Sequence, residues 1–198
     1  MFQSVLIAAL LFAPVHVEHP EGESTEEIIS PLVVTEIQSF GELQLANGIE
    51  ALDAGDSSLA LRLLADYLAR YPSSDLAPNA RYLAARAALE EKEPLQALAW
   101  LTYLDSLMPE VEDFVLAAKA IAHRHLGQWP ETLSAWELLL KKYPKSPLSV
   151  EALYGAADAY FALDQPREAK RAYEKAMRAN SRSDRADLAR FNLAQMAE

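Results

Sequence analysis

The sequence predicts an all-α fold, a right-handed α-solenoid of about four helix pairs followed by a single final helix. Three observations carry that expectation. Ala and Leu dominate the 198 residues, Gly is scarce, and strand-type alternation is nearly absent. Pro94, Pro130 and Pro166 recur every 36 residues, each heading an Ala/Leu-rich run: PLQALAWLTYL, PETLSAWELLL and PREAKRAYEKAM. One phrase is also written twice, as YPSSDLAPNARYLAARAAL from Tyr71 and as YPKSPLSVEALYGAADAYF from Tyr143, 72 residues later.

The chain opens with an apolar run, VLIAALLFAPV, from Val5 to Val15. A bilayer span needs about 20 residues, and a shorter run at the extreme N-terminus matches the core of a secretory signal peptide. Residues 1–17 are therefore expected to be an export signal, with Val15-His16-Val17 as the candidate cleavage site. Residues 18–40 read as an acidic, solvated linker, rich in Glu and broken by Pro20 and Gly22. Within it, Ser24-Thr25-Glu26-Glu27 has the spacing of a capping box. A short helix starting there would stop at Pro31, and PLVVTEIQ (31–38) reads as a brief extended piece.

Residues 41–198 hold the repeats. Proline at the first helical position loses nothing, because its missing N–H has no partner there in any case. Ser58 holds the corresponding place ahead of LALRLLADYL. A second set of prolines, Pro72, Pro109 and Pro144, closes the second helix of each unit. The pairs are expected at 41–53 with 58–70, 77–91 with 94–107, 112–126 with 130–142, and 148–162 with 166–178. A lone helix follows at 184–197. Gly55-Asp56 and Gly127 supply helix stops. Trp100, Tyr103, Trp136 and Tyr173 lie in second helices and are expected to fill the layers between them.

Small residues stand where the helices of a pair cross (Gly48 and Ala60, then Ala157, Ala169 and Ala176), with Tyr160 and Tyr173 beside them. This pattern resembles the tetratricopeptide repeat over residues 41 to 197. Three departures stand out: Thr132 replaces a small Ala, His123 stands where Tyr is usual, and the units run one to three residues long. The resemblance implies a binding surface made by first helices, where extended or helical protein segments lie. By register that surface comprises Asn79, Tyr82, Arg86, His125, Tyr154 and Asp158. On the final helix, Leu188 and Phe191 point away from the Ala186/Ala189/Leu193 face and are expected to form an exposed apolar end. That end would accept a protein partner or a continuation of the array.

The stretch from Ser106 to Met177, SLMPEVEDFVLAAKAIAHRHLGQWPETLSAWELLLKKYPKSPLSVEALYGAADAYFALDQPREAKRAYEKAM, also resembles the N-terminal superhelical region of soluble lytic transglycosylases. That resemblance implies a periplasmic setting and peptidoglycan as the surroundings. The family's catalytic Glu lies in a Glu-Ser motif ahead of a Gly-rich segment. Here the one Glu-Ser pair, Glu23-Ser24, falls in the acidic linker without that segment, so no catalytic residue carries over. Two readings follow: a non-enzymatic protein-binding scaffold of the bacterial envelope, and the scaffold portion of a transglycosylase.

Composition excludes several other classes. The chain has no Cys, hence no disulfide, no thiolate chemistry and no lipid-anchored N-terminal Cys. Its net charge is −11, and no Lys or Arg precedes Arg62, against ten acids. Nucleic acid is therefore not an expected partner. The locally basic stretch from Arg167 to Arg190 has its bases interspersed with acids, as on a solvated helix face. His123 and His125 lie on opposite sides of one helix and cannot chelate one ion, so no metal and no cofactor is expected. No stable membrane span is expected once the signal is removed.

Overall fold

A computed structural model of the chain describes residues 31–180 and 184–196, with side chains from residue 40 onward in the first helix and from residue 185 in the last. The export signal, and the linker as far as residue 30, lie outside the described residues. Every regular element among the described residues is helical. They divide into two compact units, the first ending at Ala84 and the second beginning at Ala85.

In the first unit, α1 (Pro31–Asp53) packs against α2 (Ser57–Arg70). Leu45, Leu52, Leu64, Tyr67 and Leu68 form the buried interior. Gly48 lets the two helices approach, since a Cβ there would stand 2.9 Å from the Leu64 side chain. The extended piece expected at 31–38 is instead the first two turns of α1. Proline is accommodated at a helix start, and Pro31 opens this helix; the short helix expected from Ser24 lies outside the described residues. A third helix, α3 (Ala77–Glu90), spans the division between the units.

The second unit continues with α4 (Pro94–Trp100), α5 (Leu104–Leu107), a 3₁₀ turn (Pro109–Val111), α6 (Glu112–His125), α7 (Trp129–Lys142), α8 (Ser149–Ala162), α9 (Pro166–Ala179) and α10 (Asp184–Gln195). Consecutive helices pack from α6 through α10. One cluster of buried side chains joins Leu116, Ala120, Trp136, Leu139 and Ala156. A second joins Leu153, Tyr154, Tyr173, Ala186 and Ala189. The Trp136 indole lies on the bare backbone of Gly155, where even a Cβ would come within 2.3 Å.

The helix expected at 94–107 is interrupted. The Thr102 hydroxyl donates to Leu98 O at 3.1 Å, and the Thr102 N–H reaches only Ala99 O, at 3.4 Å. A side chain that takes the carbonyl of residue i−4 competes with the backbone ladder. Tyr103 then adopts φ +62° and points outward, 75% exposed. It therefore fills no core layer, in contrast to Trp136 and Tyr173, which are buried, and Trp100, which is half-buried.

All four turns between the helices of a pair share one hydrogen-bond scheme. Gly55, Lys92, Gly127 and Asp164 have positive φ, and in each turn the next residue's N–H reaches five residues back: Asp56 to Ala51, Glu93 to Ala88, Gln128 to His123, and Gln165 to Tyr160. This Schellman closure satisfies the last carbonyls of a helix and turns the chain sharply. Two of the turns use no glycine, so only Gly55 and Gly127 announce themselves in the sequence. Pro94, Pro130 and Pro166 stand in the first turn of the helix that follows, as expected from their spacing. Thr132, at the helix crossing of the third pair, is fully buried, and its hydroxyl donates to Gln128 O at 2.9 Å.

Candidate partner-binding surfaces

The six residues assigned by register to a first-helix surface fall in different surroundings. In the first unit, Asn79 is half-buried and Tyr82 is buried. In the second unit, Arg86 is half-buried and His125 is exposed at the end of α6. Partial desolvation, then the neighbouring charges of Arg124 and Lys92, hold the His125 imidazole below its ordinary pKa, so it is mostly neutral at pH 7.

Tyr154 and Asp158 are enclosed by α10. Tyr154 is 1% exposed, and its hydroxyl donates to Asn180 O at 2.8 Å. The Arg185 guanidinium lies over the Tyr154 ring, 5.6 Å from its centroid, and donates to both Glu151 and Asp158. Tyr173 donates to the other Asp158 oxygen at 2.6 Å, and Asn192 donates to the Tyr173 hydroxyl at 2.8 Å. Burial, then the Asp158 carboxylate, pushes the Tyr173 phenol far above its ordinary pKa. At this end of the chain the face expected to be open is sealed by the last helix. The signal was present in the polar residues of α10, where Arg185 and Asn192, seven positions apart, share a helix face with the buried Ala189. Leu188 and Phe191 lie on the other side of α10, 51% and 59% exposed.

The phrase written twice builds a polar turn at the end of a second helix. In the second unit, the Ser146 hydroxyl accepts the Leu148 N–H at 3.1 Å and donates to Asp113 at 2.6 Å. Tyr143 donates to Glu112 at 2.5 Å, and Lys142 donates to the other Glu112 oxygen at 2.7 Å. Those two donors hold the Glu112 carboxyl below the usual carboxylate range. Glu112 in turn pushes the Tyr143 phenol up to about 12. Two acids at the start of α6 thus lock the turn that ends α7.

In the first unit, Ser74 likewise accepts a backbone N–H, from Leu76 at 3.2 Å, and it also accepts the Tyr67 hydroxyl at 2.8 Å. Phe40 and Gly41 occupy the places of Glu112 and Asp113. Among the described residues no acid closes this turn, and a cavity of about 560 Å³ remains, lined by Gly41, Glu42, Arg70, Tyr71, Ser74 and Asp75 among others. Sequence reasoning noticed the repeated phrase but not its two different closures, because the acids lie more than thirty residues away from it.

A profile of the tetratricopeptide repeat matches residues 45–107 and 117–164, and a second profile of the same repeat matches residues 151–183. The chain belongs to the tetratricopeptide repeat family. These repeats generally mediate protein–protein interaction, and their scaffold is generally non-catalytic. No curated protein matches the sequence significantly. Among solved structures, a tetratricopeptide repeat protein from Parabacteroides merdae is similar at 22% identity with a TM-score of 0.66. That match covers 79% of this chain and 60% of the other, so this repeat protein spans less than two thirds of that relative's length. A putative kinesin light chain from Podospora anserina with nearly identical repeats is similar at 17% identity, TM-score 0.61, covering 78% and 84%. At such identities the likeness shows the fold, an all-α array of helix pairs.

Among the described residues, no group of three or more His, Asp or Glu could hold a metal ion, and no helix is long and apolar enough to cross a membrane.

Proposed function

We propose that this tetratricopeptide repeat protein is a non-enzymatic scaffold that holds protein segments in the bacterial cell envelope. The observation that carries the binding role is the match of the repeat profiles to helix pairs seen in the structure. The accessible polar groups on first helices, Asn79, Arg86 and His125, are the contact residues for each unit. Tyr82 and Tyr154 are set aside as contacts, because truncating buried tyrosines would unfold the repeats before it reported on binding. The envelope setting rests on the apolar run at residues 5–15 and on the likeness of residues 106–177 to the scaffolds of lytic transglycosylases.

A photo-crosslinking residue placed at Asn79, Arg86 or His125 in cells should yield discrete adducts, whereas one placed at exposed Lys170 should not. Equal labelling from all four positions would overturn the reading. Mass spectrometry of the exported protein should find residues 1–17 removed, and an intact N-terminus would overturn the envelope assignment. The purified chain should release no fragments from peptidoglycan; measurable turnover would overturn the non-enzymatic role.

A further inference from the structure

We infer that the hollow beside Tyr71 is a docking site for an acidic side chain of a partner protein, filled from outside as Glu112 and Asp113 fill the equivalent turn from within. The inference rests on the scaffold reading and names the chemistry of one contact. Each donor of the closed turn has a counterpart 72 residues earlier: Arg70 for Lys142, Tyr71 for Tyr143, and Ser74 for Ser146. In the second unit these three groups hold two carboxylates. In the first unit the same offset replaces both acids, by Phe40 and Gly41.

The donors remain available. The Ser74 oxygen accepts from Tyr67 and from the Leu76 N–H, which leaves its own hydrogen to donate. Among the described residues, neither the Tyr71 hydroxyl nor the Arg70 guanidinium has a hydrogen-bond partner. The Tyr71 ring is held in place by the Tyr67 ring, with centroids 5.2 Å apart. The space is the hollow of about 560 Å³ itself, and a Cβ at Gly41 would make only ordinary contact with the Tyr71 ring, 3.4 Å away.

A carboxylate entering the hollow would meet an Arg, a phenol and a hydroxyl, a set of charge-assisted donors. Glu42 and Asp75 also border the hollow. Their negative charges oppose an incoming acid, so neutralising them is expected to strengthen its binding. Because Glu112 and Asp113 act from the first turn of a helix, the ligand is expected to present its acid on a helix start or turn.

The probe is a fluorescein-labelled peptide with the sequence of Pro109–Lys119, read by anisotropy against the full chain at low salt. Saturable binding is expected, at least about tenfold weaker for the same peptide carrying Glu112→Gln and Asp113→Asn, as loss of roughly one charge-assisted hydrogen bond implies. Ser74→Ala and Arg70→Gln in the protein should each weaken binding by a similar factor. Gly41→Asp should abolish it while the protein melts at or above the parent temperature. Glu42→Gln and Asp75→Asn should tighten it.

Equal binding of the neutral peptide would overturn the inference. So would weakening by Lys142→Gln or Ser146→Ala in place of Arg70→Gln or Ser74→Ala, since the peptide would then sit on the other turn. Weaker binding after Glu42→Gln would mark a site for a base instead. If neutralising Glu21, Glu23, Glu26 and Glu27 raises peptide affinity tenfold or more, the chain's own acidic segment is the occupant and the partner is excluded. Absence of peptide binding would sink this site alone, because adducts from His125 would still report the scaffold role.

Discussion

The two copies of the Tyr-Pro-x-Ser-x-Leu turn share their local structure and differ in what closes them. In both, a serine hydroxyl accepts the backbone N–H two residues on, and the serine's own N–H reaches the carbonyl of the tyrosine. Among the described residues, only the second copy receives carboxylates, from residues more than thirty positions earlier. A turn motif therefore sets the path of the backbone by itself, while its energetic weight is set by the residues that the preceding helix start brings to it. The same lesson applies to the helix stops, where Gly55 and Gly127 adopt positive φ without cost and Lys92 and Asp164 adopt it against their side chains.

The largest effect expected from testing this comparison is at the serines. Ser146→Ala would leave the buried Asp113 carboxylate without its hydroxyl partner and should cost about 2 kcal/mol in denaturant unfolding. Ser74→Ala removes only neutral contacts and should cost about 1 kcal/mol or less. Equal losses would erase the distinction between closed and open turns.

Next comes Glu112→Gln, expected to cost about 1 kcal/mol at pH 7 as one charge-assisted contact is weakened. Because the native Glu112 carboxyl is held below its ordinary value, its contribution is complete above the unfolded value of about 4.3. It is lost as pH falls through the lower native value. The melting difference between parent and variant should thus be constant from about pH 7 to 5 and close on further acidification; a gap that widens in acid would contradict the assignment.

Smaller gains are expected at the helix stops. Lys92→Gly and Asp164→Gly should each stabilise by about 0.5 kcal/mol, relief of the positive-φ strain exceeding the added freedom of the unfolded chain. Gly55→Ala and Gly127→Ala should destabilise by about 1 kcal/mol. Comparable to those gains is Gly41→Asp, which replaces a helical glycine and supplies the missing acid. Thermal melts should show stabilisation of about 0.5 kcal/mol, whereas destabilisation would mean that the open turn cannot accept the closure of its counterpart.

The helix pairs were legible because their signals are local. Prolines at fixed intervals, Ala/Leu periodicity and two turn glycines place most helix ends within a residue or so of where they stand. The break at Tyr103 was not legible, since it depends on which donor takes the Leu98 carbonyl, a competition that periodicity does not record. The helical start at Pro31 was misread because a β-branched stretch after a proline scores as extended when its tertiary neighbours are unknown. Of the residues assigned by register to a binding surface, His125 is exposed, whereas α10 lies over Tyr154 and Asp158, a covering that register does not record.

By itself, the sequence determined the number of helix pairs, their order and the proline-headed second helices, because backbone sterics and side-chain period act over a few residues. Tertiary structure alone decided which turn is locked, which tyrosine is buried beneath Arg185 and which hollow stays open. Those outcomes depend on carboxylates and guanidinium groups arriving from some thirty residues away, and such contacts exist only once the helices have packed.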